Sequence, residues 1–109
     1  MKDDRLYLVH IQECIERIER YTADGKDAFF ADEKTQDAVL RNLQTLAESS
    51  QLLADSVKAE APAIDWRGIA GFRNVLVHEY LGVDLKRVWD VVEQDLPALR
   101  REIDALLRR

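Results

Sequence analysis

Cysteine occurs once in this chain, at Cys14, so an intrachain disulfide and a cysteine-based zinc site are both excluded. Histidine occurs twice, at His10 and His78, which leaves no multi-histidine metal set. No His-Glu-x-x-His helix and no glycine-rich phosphate loop is present either. With four glycines and two prolines in 109 residues, the residues that tight turns need are scarce. An excess of positive charge is also missing. The formal net charge is −5, which argues against a surface that coats nucleic acid, though it leaves room for a local basic cleft. The charged start, Met1-Lys2-Asp3-Asp4-Arg5, leads into no long apolar run. Neither a secretory signal nor a membrane span is expected, and a cytoplasmic protein is the default.

What remains is a chain that is 47% hydrophobic and 34% charged. That is enough for one core, and the length suits one small domain over residues 1–109. Leu8, Ile11, Ile15 and Ile18 recur at spacings of three and four, which predicts an amphipathic helix from 3 to about 22 with Asp3 or Asp4 at its start. On that helix His10 lies off the apolar stripe and reads as a surface residue, while Cys14 reads as a small buried hydrophobe. Asp24-Gly25 marks a turn, and Phe29 and Phe30 read as anchors tying a connecting loop to the core. Asp32 caps a second helix, from 33 to about 57, with Val39, Leu43, Leu46 and Leu53 facing inward. Its scattered carboxylates, Asp37, Glu48 and Asp55, read as a solvated face.

Ala61-Pro62-Ala63-Ile64 reads as a linker because Pro62 pushes its predecessor out of helical geometry. Asp65 caps a third helix that Gly82 ends. Gly68 and Gly71 weaken that helix and permit close approach of another helix or a ligand. Asp84 caps a fourth helix carrying Leu85, Val88, Trp89 and Val92. Pro97 predicts a break near 94–96, before a last helix from about 97 to 108. The expected fold is an all-α, antiparallel bundle of four to five helices.

The most informative stretch runs from Gly71 to Tyr80. It sets Arg73, Asn74, His78 and Tyr80 among mostly apolar residues at helical spacing. At about 100° per residue, with Arg73 as zero, Tyr80 falls near −20° and Trp66 near +20°. Asn74 falls near 100° and His78 near 140°, a neighbouring stripe. One ideal helix therefore does not easily bring Arg73 and His78 to a single phosphate unless its C-terminal turn is distorted, whereas two copies across a two-fold axis could do so readily. A bland alternative stays open: Arg73 pairs with a carboxylate of another helix, Asn74 bonds a loop, and Tyr80 anchors a helix end.

The pattern Arg73-x4-His78-x-Tyr80, with Asn74 directly after the arginine, resembles the signature of the HEPN superfamily and more closely the HepT-like toxins of the DUF86 family. Asp37-Ala38-Val39-Leu40-Arg41-Asn42-Leu43 is similar to that family's second-helix pattern, and Pro62 to Ile69 to the approach to its motif helix. Val83-Asp84, Val88-Trp89 and Asp95-Leu96-Pro97 resemble its tail, while Phe72 stands where a methionine is common. The resemblance covers nearly the whole chain. It implies a HEPN-like bundle that forms a homodimer through the motif region and works as the ribonuclease toxin of a type VII toxin–antitoxin system. It implies RNA as substrate, no metal or other cofactor, and an MNT-type nucleotidyltransferase antitoxin as partner. A hetero-oligomer larger than a dimer stays open. Arg73 and His78 carry over as the catalytic pair, Asn74 as polar support, and Tyr80 as substrate contact and acceptor of AMP.

The chemistry of these side chains agrees with that implication. RNA brings its own nucleophile, the 2′-OH, so cleavage needs neither an activated water nor a metal. It needs a group titrating near neutrality, which is histidine, and a fixed cation over the phosphorane-like transition state, which is arginine. A non-catalytic module, in which the same helix docks a nucleotidyltransferase and Arg73 binds a nucleotide phosphate, is the competing expectation, slightly favoured by the acidic net charge.

Overall fold

The structure, a computed structural model, describes residues 2–79 and 82–109. All its regular elements are helical: α1 (Lys2–Tyr21), α2 (Lys26–Ala31), α3 (Glu33–Gln51), α4 (Asp55–Ala59), α5 (Trp66–His78), α6 (Leu85–Asp90) and α7 (Leu96–Leu107). A π-helical turn, Val91–Asp95, joins α6 to α7. No described helix is long and apolar enough to cross a membrane.

The stripe predicted for α1 is the centre of the core. Ile11, Cys14, Ile15 and Ile18 are fully buried, against Leu40, Leu43 and Leu46 of α3 and Leu99, Ile103 and Leu106 of α7. Polar contacts give the helix directions. His10 meets Ser49 and Arg17 meets Asn42, so α1 and α3 run antiparallel. Arg5 donates to the Leu107 carbonyl, Gln12 meets Asp104, and Arg100 pairs with Glu16 and Glu19, so α1 and α7 do the same. The main packing of the long helices is α5 on α3, α3 on α1 and α1 on α7, which leaves α5 at an edge.

Several elements depart from their sequence expectation for local reasons. Phe29 and Phe30 sit on the short helix α2 rather than in a loop. Phe29 is fully buried, with ring centroids 5.3 Å from both Phe30 and Trp89. The second helix stops at Gln51 instead of near 57. Asp4, buried at the start of α1, accepts the amide of Ala54 at 3.0 Å and redirects the chain into α4. Asp4 thus braces two helices rather than capping its own. His10 is half-buried and hydrogen-bonded to the Ser49 hydroxyl at 2.7 Å, not a surface residue. Pro97 causes no break. It has no N–H for the carbonyl one turn back, and the helix widens to a π turn just before it, where the Leu96 amide reaches Val91.

Candidate active site on helix α5

Helix α5 is pinned at its start. The Asp65 carboxylate accepts the Gly68 amide at 2.9 Å, and the Trp66 indole N–H donates to the carbonyls of Lys58 at 3.1 Å and Ala61 at 3.3 Å. Only Leu76 on this helix is buried; Ile69 and Phe72 pack half-buried against the core. An edge helix resting on α3 by one narrow apolar stripe leaves the rest of its surface outside. Arg67, Gly71, Asn74, Val77 and His78 are exposed along it.

Arg73 takes a different direction. It is half-buried and turns toward α3, where Nη2 donates to Oε2 of Glu48 at 3.3 Å. Its Nη1 donates to Oδ1 of Asn74 at 3.4 Å, and its Nε is buried without a hydrogen-bond partner. Gln44 donates to the same Glu48 oxygen at 3.3 Å. Arg73 and Asn74 are therefore brought together. His78, the last residue of α5, is exposed, and among the described residues no hydrogen bond joins it to Arg73. The helix ends there, with Glu79 as its C-cap, so Gly82 lies beyond the helix rather than ending it. Tyr80 lies outside the described residues.

Glu48, read from the sequence as part of a solvated face, is the carboxylate that meets Arg73. The open alternative had Arg73 paired with a carboxylate from another helix, and that pairing is present. With 21 acidic residues in the chain, nothing in the linear order singles out Glu48. Its stripe on α3, with Asp37 and Gln44, looks like any solvated face until α5 is laid beside it. Flanking α5 is a groove of about 600 Å³ between α3, α5 and the α6–α7 rod, floored by Leu43, Leu46, Phe72 and Leu99. The Arg87 guanidinium lies 5.3 Å from the centre of the Phe72 ring at its side. Among the described residues, no group of three or more His, Cys, Asp or Glu is placed to hold a metal ion.

Residues 11–106 match the family model described as Ribonuclease HepT-like. A Thermococcus cleftensis protein named "Probable ribonuclease HepT" is 39% identical over 101 residues, covering 92% of each chain. The chain belongs to the HepT-like ribonuclease family. A Methanocaldococcus jannaschii protein named "Gamma-glutamylcyclotransferase and putative RNase" is 41% identical over 103 residues, 94% of this chain. This HepT-like chain spans 46% of that longer relative. A second protein of that organism, named "Putative RNase", is 33% identical over 108 residues and is covered to 89% of its length. No solved structure matches. Membership in a family of HepT-like ribonucleases implies RNA as the substrate class.

Proposed function

We propose that this HepT-like chain is a metal-independent endoribonuclease whose working site forms where the α5 helices of two copies meet. The observation that carries this reading is the division of labour on α5. Arg73 is held and oriented, while Asn74 and His78, on the neighbouring stripe, are exposed and available. Within one helix Arg73 and His78 diverge by about 140°. A second copy facing the first would supply the missing half.

In the reaction, the ribose 2′-oxygen attacks the adjacent phosphorus and gives up its proton, while the 5′-oxygen leaves and takes one up. A 2′,3′-cyclic phosphate and a 5′-hydroxyl result. His78 is the proton-transfer group, a role typically worth about 10²–10⁴-fold in rate. Arg73 offers a planar, permanently charged fork to the phosphorane oxygens, and removing one such donor typically costs about 10²–10³-fold. Asn74 bonds a phosphate oxygen or orients the imidazole. Tyr80 accepts AMP from a nucleotidyltransferase antitoxin, which adds negative charge and bulk and repels RNA. The protein then acts as the toxin of a toxin–antitoxin pair.

The test is cleavage of single-stranded RNA by purified wild type, Arg73→Ala and His78→Ala, with a chelator present throughout. Wild type should cut and both variants should lose at least about 10²-fold. Equal, slow cutting by all three would remove the enzymatic reading. The second reading, a nucleotide-binding docking module, draws on the net charge of −5 and on Glu48, which offsets the charge of Arg73 at rest. It expects nucleotidyltransferase binding with no cleavage.

A further inference from the structure

Building on the ribonuclease reading, we propose that Glu48 is the positioning residue of Arg73: its carboxylate, fixed on α3, aims the guanidinium that meets the scissile phosphate. Glu48 lies 25 positions before Arg73, on the helix against which α5 packs, and its Oε2 receives Nη2 at 3.3 Å. That oxygen is itself held by Gln44, one turn earlier on α3, at 3.3 Å. The acceptor is therefore anchored before the arginine arrives. Asn74 takes the other terminal nitrogen at 3.4 Å.

A guanidinium has five N–H donors in one rigid plane. Two are committed to Glu48 and Asn74, and the buried Nε–H points away from solvent. The remaining terminal hydrogens are left for a ligand, in a plane set by the two contacts. The side chains of Arg73 and Glu48 are 30% and 40% exposed, so water screens the pair and it adds little to folding stability. Orientation is the property such a contact can supply. Its negative charge has a second consequence. At rest it offsets the charge of Arg73, so an incoming phosphate competes with the carboxylate.

Glu48→Gln keeps a hydrogen-bond acceptor and removes the charge, whereas Glu48→Ala removes both. The experiment measures kcat and KM for single-stranded RNA with wild type and both variants, alongside thermal melts. Glu48→Ala should lose about tenfold to a hundredfold in kcat, the range for a misplaced catalytic group. Glu48→Gln should recover kcat to within about threefold of wild type and bind RNA more tightly, with a lower KM and a steeper salt dependence. A merely structural role would scale activity with folded fraction and leave KM alone.

Wild-type kcat in Glu48→Ala, or equal impairment of a natively melting Glu48→Gln, overturns the positioning role. Should the alanine variant fail to fold, Glu48→Asp, which withdraws the carboxylate by one methylene, takes its place, and a wild-type kcat there overturns the positioning role. An unchanged KM in Glu48→Gln overturns the competition between carboxylate and phosphate. A wild type that cuts no RNA removes the ribonuclease reading itself, an outcome distinct from an active enzyme indifferent to residue 48.

Discussion

Asp65 and Gly68 form one structural unit: the carboxylate that caps α5 occupies the space where a side chain on residue 68 would begin. A Cβ placed on Gly68 would collide with that carboxylate, whereas a Cβ on Gly71 would meet nothing within 4 Å. The two glycines, three residues apart on one helix, thus answer to different constraints. Gly68→Ala should displace the cap and destabilise the fold by about 0.5–2 kcal/mol, the usual worth of an N-cap. Gly71→Ala should be neutral or stabilise by about 0.4–1 kcal/mol through the unfolded chain. Thermal or urea melts of the two variants at low protein concentration check both signs.

Gly71 lies on the exposed stripe with Arg67, Asn74 and His78. A Cβ there meets nothing within 4 Å in the single chain, so a variant that folds normally yet loses function does so through what approaches this stripe from outside. Gly71→Leu is expected to melt like wild type as a monomer, yet to weaken self-association and lower RNA cleavage at least about tenfold. Light scattering at micromolar concentration reads the first effect. A wild type that is monomeric there would remove the twin-subunit site.

Tyr80→Phe should cut RNA at close to the wild-type rate and resist silencing by the nucleotidyltransferase. Incubation with the partner and labelled ATP, followed by an RNA assay, reads both properties. Loss of cutting in Tyr80→Phe would place the hydroxyl in the chemistry instead.

Asp32 caps α3, accepting from the Lys34 amide at 3.1 Å and the Thr35 hydroxyl at 2.8 Å. The Thr35 hydrogen bond first, and then the backbone amides, hold its carboxyl below the ordinary carboxylate range. A depressed carboxylate contributes stability above its unfolded pKa and loses it as pH falls through the lower folded value. Asp32→Asn should therefore narrow its stability gap to wild type as pH drops below about 4. A gap constant across that window would show that the charge plays no part.

Cys14 is buried among the isoleucines of α1, and burial pushes its thiol above the ordinary range. Because the thiolate is the reactive form, iodoacetamide should leave the native protein unmodified at neutral pH and label it fully in denaturant. Rapid native labelling would mean that the α1–α3–α7 core opens readily.

How much was legible in the sequence follows from how local each determinant is. The apolar stripe of α1, the caps at Asp32, Asp65 and Asp84, and the polar arc of α5 were readable because each depends on neighbours within about one or two helical turns. The motif spacing also carried the family resemblance, since Arg73, Asn74 and His78 lie within one helix. What could not be read were the pairings between distant positions. Ala54 is turned aside by Asp4, Pro97 is absorbed by a π turn inside a packed rod, and His10 is drawn half inside by Ser49. The chain alone settled that a guanidinium and an imidazole would share one helix on different faces, because helical pitch is a local property. Only packing decided that Arg73 would turn to Glu48, because which of many carboxylates lies opposite depends on where α3 and α5 come to rest.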